Sequence, residues 1–186
     1  FVSGALLAGK SIRVKSAYPI SGEAPAGVIV TDSEPCDVVV DLRADRTDAL
    51  CLIPQIAVLG VGCRKGTPRE AIEAALDEFL SRTGIDRSAI TAVASIDLKR
   101  DEAGLCEFCR AHGWPFLTYS AEALAAVEGD FTPSAFVRQI TGVDNVCERS
   151  AVLASGGTLI EQKAAANGVT MALAVRPFTP DWRKAE

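Results

Sequence analysis

The chain has a single histidine, His112, a single methionine and two tryptophans in 186 residues. One imidazole excludes a histidine-built metal centre, and a tetrahedral zinc site would have to gather distant cysteines. Cys106-Glu-Phe-Cys109 is a lone CxxC without a second pair, so no metal is expected. No uninterrupted apolar run approaches the ~18 residues of a membrane span, and no membrane partner is expected. Residues 1–10 lack the basic start of a signal peptide. Basic residues are not in excess: 19 Lys and Arg face 24 Asp and Glu, a net charge of −5. That leaves no phosphate-tracking face, and nucleic acid is not an expected partner. Internal repeats and low-complexity tracts are missing as well.

What remains is a globular balance, with 48% apolar and 23% charged residues. This length buries one ordinary core, or one core and a small appendage. The six cysteines are irregularly spaced and read as reduced thiols, which points to the cytoplasm. Phe1 is no initiator, so the chain is expected to begin partway through a longer protein.

Residues 1–50 differ in texture from the rest. Residues 11–17 alternate apolar and polar, as a half-exposed strand does, and a Pro/Gly/Ser-rich loop follows over 19–27. Residues 28–31 and 37–42 are β-branched and predict two further short strands. This segment is expected to be a small β-rich appendage.

After Pro54, strand and helix patterns alternate. Residues 56–61 form a continuous apolar run, consistent with a central strand buried on both faces. Thr67-Pro-Arg-Glu70 has the form of a capping box, and Ile72, Ala75, Leu76, Phe79 and Leu80 make one helical stripe. A strand over 89–96 and a helix over 101–112, ended by Gly113, come next. Residues 115–119 read as a third strand. Short helices are expected after Ser120 and from Thr132-Pro133, the latter carrying Phe136, Val137 and Ile140. Asn145-Val-Cys-Glu148 is a second capping box, leading a helix that stops at Gly156-Gly157. Asn167-Gly168 predicts a type I′ hairpin between 158–163 and 169–175, with Val169, Met171, Leu173 and Val175 on one face. From Pro177 onward a loosely held tail is expected. Residues 51–186 should therefore form a three-layer α/β/α domain with a mixed, mostly parallel sheet and a C-terminal hairpin.

The most informative stretch is residues 55–70, a buried strand running into a glycine-rich, doubly basic turn and then a helix. Such a turn presents unpaired N–H groups and the positive end of a helix dipole. Gly60, Gly62, Gly66 and Thr67 would shape an anion site, with Arg64 and Lys65 adding charge and Cys63 a thiol. Neither nucleotide motif fits. Lys65 stands on the wrong side of its glycine for a Walker loop, and Gly66 comes one position late for a dinucleotide fingerprint. The same glycines also suit tight packing alone, and Cys63 suits an inert core site.

Residues 95–102 form a second charged turn between strand and helix, with Asp97, Lys99, Arg100 and Glu102. Loops at the carboxyl ends of parallel neighbours share a crevice, so both turns are candidates for one site. Asp97 equally suits a helix cap, and Lys99 and Arg100 suit solvated positions. Glu148 is accounted for by its capping box, Lys163 by a strand edge, and His112 by a helix C-terminus.

Gly60-Val-Gly-Cys-Arg-Lys-Gly-Thr67, Ala94-Ser-Ile-Asp-Leu-Lys-Arg-Asp-Glu-Ala-Gly-Leu105 and Gly142-Val-Asp-Asn-Val-Cys-Glu148, in this order and spacing, resemble the C-terminal domain of the cobalamin-biosynthesis family CbiG, the cobalt-precorrin-5A hydrolases. The resemblance covers residues 52 to about 177, and residues 1–50 are more weakly similar to the end of the family's central region. The same domain occurs alone as CobE. The resemblance implies opening of a δ-lactone on a cobalt-containing macrocycle, giving cobalt-precorrin-5B and acetaldehyde. The cobalt is carried by the substrate, and no cofactor is implied. It also implies a partner: the N-terminal domain of the family, which is absent from this sequence.

The implied substrate is strongly anionic, so an acidic chain must gather positive charge locally. Arg64, Lys65, Lys99 and Arg100 are the candidates, with Gly60, Gly62, Gly66, Thr67 and Glu148 as further binding positions. Backbone N–H groups over residues 62–66 could hold a lactone oxyanion, Asp97 or Glu102 could activate water, and Cys63 could be a nucleophile. The competing role is a module that holds a corrinoid without transforming it.

Overall fold

The computed structural model describes residues 2–43 and 48–182. The chain folds as two compact units: Phe1–Pro54 with Gly84–Asp86 and Phe178–Glu186, and Gln55–Thr83 with Arg87–Pro177.

The first unit holds helix α1 (Val2–Leu7) and strands β1 (Ile12–Ser16), β2 (Val28–Val30), β3 (Val38–Val40) and β4 (Leu50–Leu52). The strands are all parallel, in the order β2-β1-β3-β4. The alternation in β1 puts Ile12 and Val14 in the core beside Val38, where Val2 and Leu6 of α1 cover them. Two elements depart from the sequence pattern. Helix α1 contains Gly4 and no acidic residue in its first turn, so nothing announces it. Strand β4 is only three residues, and its exposed Leu50 and Leu52 lack the polar alternation that marks a strand. The expectation of a loose tail from Pro177 fails over 178–182. Ser21 donates its N–H to the Pro180 carbonyl at 2.7 Å, Phe178 meets Tyr18 edge-on at 5.2 Å, and Trp182 joins the core. Residues 183–186 of that tail, and the Phe136 side chain, lie outside the described residues.

The second unit runs β5 (Ala57–Cys63), α2 (Arg69–Thr83), β6 (Ile90–Ile96), α3 (Ala103–His112), β7 (Phe116–Tyr119), α4 (Ala121–Ala125), α5 (Ala135–Thr141), α6 (Cys147–Ser155), β8 (Thr158–Ala166) and β9 (Val169–Val175). Its sheet order is β7-β6-β5-β9-β8. The pairs β5–β6 and β6–β7 are parallel, while β5–β9 and β9–β8 are antiparallel. The fold is the expected α/β architecture with a closing hairpin and a mixed, mostly parallel sheet, in which β9 alone runs against the other four strands. The hairpin docks through β9 against β5. As an inner strand β9 is buried on both faces: Ala172 and Ala174 are as inaccessible as Met171 and Leu173. The hairpin turn has the expected left-handed pair, Asn167 at φ 53° and Gly168 at φ 79°.

One face of this sheet is a trough of small side chains. Register places Ala94, Gly60 and Ala172 in one row and Ala92, Val58 and Ala174 in the next. Helix α6 sinks into that trough, so close that a Cβ on Gly60 would lie 1.8 Å from the Cys147 carbonyl oxygen. The opposite face carries α2 and α3, which pack on each other, and Ile72, Leu76, Phe79, Leu105 and Phe108 on these helices are all buried. Three layers result, and the carboxyl ends of β5 and β6 open on one edge with the start of β9.

Candidate functional site

That edge forms a cleft of about 820 Å³. The end of β5 supplies Gly62 and Cys63 and the turn after it Arg64 and Lys65, and the turn after β6 supplies Leu98, Lys99, Asp101 and Glu102. The stretch from Ser134 to Cys147, which includes α5, closes another side, and Lys163 and Thr170 enter from the hairpin.

The two charged turns are latched together by Glu102. Its Oε1 accepts the Gly66 N–H at 2.6 Å, and its Oε2 accepts Lys99 Nζ at 3.0 Å. Gly66 adopts φ 76°, a conformation that favours glycine, and this turns its N–H toward α3. Gly104 makes the approach possible, since a Cβ there would lie 2.1 Å from the Thr67 carbonyl oxygen. Burial would raise the Glu102 carboxyl, but the Gly66 N–H and then the Lys99 ammonium outweigh it and hold the carboxyl below its ordinary range. Both oxygens are engaged and the group is weakly basic, which suits an anchor better than a water-activating base.

The Thr67 hydroxyl donates to the Arg64 carbonyl at 2.8 Å and closes the turn. Helix α2 begins at Arg69 with Glu70 exposed, so the capping box that the sequence predicts there does not form. The Gly66 N–H, expected to face a ligand, is taken by Glu102. Gly62 lies in the ladder opposite Thr170, whose hydroxyl donates to its carbonyl at 3.3 Å.

The remaining sequence candidates fall in different places. Gly60 lies beneath α6, where it serves packing. Asp97 and Arg100 are off the cleft lining; Arg100 Nε reaches Thr118 Oγ1 at 3.4 Å. Glu148 is fully buried and one step removed from the lining. Its carboxylate accepts the Thr132 N–H at 2.7 Å, the Thr132 hydroxyl at 2.9 Å, the Asn145 amide at 2.7 Å and the Lys163 N–H at 2.6 Å. Half of its capping box is real, because Asn145 Oδ1 accepts the Glu148 N–H at 2.9 Å. His112 makes a 2.8 Å contact with Glu73 and stacks on Trp114 at 4.2 Å.

Cys63 corrects an expectation. Its position beside Arg64 and Lys65 predicts a favoured thiolate, yet burial pushes the thiol up, Lys99 lowers it less, and Glu102 raises it again. Arg64 and Lys65 are themselves exposed and do not govern it. Site-resolved alkylation should therefore find Cys63 slower at neutral pH than a free thiol in solution, with its rate rising only in alkaline solution. A Cys63 rate at neutral pH above that of a free thiol would restore the nucleophile.

The lining carries four cations, Arg64, Lys65, Lys99 and Lys163, against the three carboxylates Asp101, Glu102 and Asp144. Glu102 is paired with Lys99 and Asp144 with Arg149, at 3.2 Å. Arg64 and Lys65 have no ion pair among the described residues, so the mouth offers positive charge to an anion. Leu98, Val137, Ile140, Asn145 and Lys163 line the same space. Sequence reasoning did not place them there; the one available signal was Asn167-Gly168, which returns β8 and β9 to the edge where β5 ends. Among the described residues no three His, Cys, Asp or Glu side chains converge to hold a metal ion, and no helix is long and apolar enough to cross a membrane.

Residues 57–174 match the family described as cobalamin synthesis G C-terminus. The chain is 38% identical over 124 residues to the cobalt-precorrin-5A hydrolase of Salmonella typhimurium, covering 67% of this chain and 35% of that protein. The crystal structure of CobE, a protein from the cobalamin (vitamin B12) biosynthetic pathway, is 32% identical, with a TM-score of 0.61, 66% of this chain and 92% of that one covered. A cobalamin biosynthesis protein G homolog from Sulfolobus solfataricus shares the fold over 95% of this chain and 54% of its own, at 22% identity and a TM-score of 0.56. The chain spans about a third of the length of the curated hydrolases it matches, 35% and 33%. With the matched residues covering both turns, the cleft and the hairpin, the chain belongs to the family of the cobalamin synthesis G C-terminus.

Proposed function

We propose that the second unit is the corrinoid-holding part of a cobalt-precorrin-5A hydrolase, a cytoplasmic enzyme of cobalamin biosynthesis. The observation that carries this reading is the cleft: a space of about 820 Å³ with an apolar interior and unpaired cations at its mouth. Small-molecule pockets run from roughly 300 to 1,000 Å³, and this cleft lies toward the upper end, as a large ring ligand requires. An anionic macrocycle has the matching chemistry, an apolar ring with carboxylates around it. Glu102 fixes the two turns and Lys99 stays bound to it, so Arg64 and Lys65 are the cations that meet the carboxylates.

Lactone opening also needs a base and an oxyanion donor. Glu102 and the Gly66 N–H are engaged with each other, and Cys63 lacks an activated thiolate. Asp101 is left as the one lining carboxylate without an ion pair among the described residues and is the competing base. The reading assigns water activation to a group outside this unit, in the N-terminal domain of the hydrolases. Assay of acetaldehyde release from cobalt-precorrin-5A tests it. The chain alone is expected to bind and not to turn over, while a full-length protein turns over with a raised KM when Arg64 and Lys65 are both replaced by alanine. A purely holding module would release no acetaldehyde in either form, and turnover by the chain alone would overturn the assignment of the base.

Affinity should also respond to charge in a limited way. Exposed charge pairs contribute about 0.2–1 kcal/mol, so Arg64→Ala and Lys65→Ala should each weaken a corrin carboxylate only a few-fold. Binding should fall further as salt rises, since screening acts over about 10 Å at 0.1 M. Spectroscopic titration at two salt levels checks both statements. Affinity independent of salt in all three proteins would put the carboxylates elsewhere.

A further inference from the structure

The geometry points to Leu98 and Ile140 as the side chains that select a macrocycle over a small anion, by supplying the apolar contact for the flat face of the ring. This rests on the corrinoid reading of the cleft and names the residues that would make it specific. Leu98 is 64% exposed and Ile140 61% exposed, the two most accessible large apolar side chains among the described residues of the second unit. Single exposed apolar residues are ordinary on any surface. These two come from segments far apart in the chain and line the same cleft, together with the half-buried Val137.

Both are presented by anchored backbone. Leu98 sits in the tight turn of residues Asp97–Lys99, closed by Arg100 N–H to the Asp97 carbonyl at 3.0 Å and by Lys99 to Glu102. Ile140 follows Val137 by three positions on α5, so the two share a helix face. Ser134 caps that helix on the Val137 N–H, and the Thr141 hydroxyl ties its end to the Val143 carbonyl at 3.0 Å. Backbone held in this way loses little freedom when a ligand covers it, so the ordering cost is confined to the two side chains. Charge says which occupant fits. Arg64 and Lys65 stand at the same opening, which suits a disc with an apolar face and an anionic rim, and not an uncharged apolar chain.

The test titrates the whole chain with three probes: cobyrinic acid, a corrin bearing seven carboxylates; citrate, a small polycarboxylate with no ring face; and myristate, a single apolar chain. Leu98→Ser and Ile140→Ser should each weaken cobyrinic acid about tenfold, as expected for removing a partly buried apolar contact. Citrate should be unaffected. Leu98→Met and Ile140→Leu keep the apolar contact and should bind cobyrinic acid as the unaltered chain does, which separates lost contact from lost fold. If the chain binds cobyrinic acid and the serine variants bind it equally well, Leu98 and Ile140 are not ring contacts and the corrinoid reading survives. If the unaltered chain binds no cobyrinic acid, both fail. Myristate binding that competes with cobyrinic acid and vanishes in the serine variants would make this a site for apolar chains and overturn the selection of a ring.

Discussion

Gly60→Ala is expected to destabilise the second unit by roughly 3 kcal/mol or more, at or above the upper end of overpacking costs in a filled core. The added Cβ would lie 1.8 Å from the Cys147 carbonyl oxygen, 2.7 Å from its carbon and 3.0 Å from the Ala151 Cβ. The obstacle is helix backbone, so no rotamer change relieves it, and α6 must lift from the sheet as a body. A strand glycine normally costs about 0.5–1 kcal/mol relative to alanine, so the substitution should stabilise on propensity alone. Its sign is set by the contact. Gly66→Ala provides the comparison: φ is +76° but nothing lies within 4 Å, and only the left-handed conformation, about 1–2 kcal/mol, stands against it. Urea unfolding with amide exchange at β5 and α6 distinguishes the two. A Gly60→Ala midpoint no lower than that of Gly66→Ala would mean that α6 is not seated in the trough.

That glycine also shows where a sequence is readable. Gly60 and Gly62 invite the interpretation of a ligand-facing loop, because glycines beside Arg64 and Lys65 suit an anion site. What Gly60 serves is a helix about 90 residues later, and no local pattern records that. The stripe of α2, the stop at Gly113 and the Asn167-Gly168 hairpin were all legible, because each depends on neighbours within a few residues. The place of the hairpin in the sheet was not. Pairing β9 with β5 is a contact across more than a hundred residues, and it alone turns a half-buried alternation into a strand covered on both faces.

The candidate site divides in the same way. Cys63, Arg64, Lys65, Lys99 and Glu102 were found because charged residues at strand-to-helix turns stand out in a sequence, and the structure brings all five to one cleft. Their chemistry was not legible. The field at Cys63 comes from burial and then from the other turn, and it raises the thiol where the adjacent cations suggest lowering. Leu98, Ile140 and Lys163 carry no signal of their own, since a leucine in a turn, an isoleucine on a short helix and a lysine near a strand end are commonplace. Only convergence gives them meaning.

Glu148→Gln should cost about 1–3 kcal/mol and loosen one side of the cleft, a large effect for a change of one atom. The carboxylate is fully buried, and all four of its partners are donors, two on each oxygen. An ionised carboxylate is acceptor-only and matches such a set; a carboxamide offers one oxygen and presents an NH₂ to the other pair. With its NH₂ toward the Thr132 hydroxyl, which can rotate and accept, the carboxamide leaves the Lys163 N–H without an acceptor; turned the other way it leaves the Thr132 N–H and the Asn145 amide without one, and an unpaired buried donor costs about 1–3 kcal/mol. The Asn145 amide cannot rotate to compensate, because its Oδ1 already accepts the Glu148 N–H. The consequences reach the ligand side. Thr132 lies just ahead of α5, and Lys163 stands at the irregularity of β8 between Glu161 and Ala164, so three of the four bonds tie both to α6. Glu148→Gln should therefore speed amide exchange at Thr132 and Lys163 and weaken corrin carboxylate binding, while Glu122→Gln, at an exposed position of α4, leaves all three unchanged. A Glu148→Gln protein with unaltered exchange at those two amides would show that the carboxylate fills space at this position and does not hold the arm of the cleft.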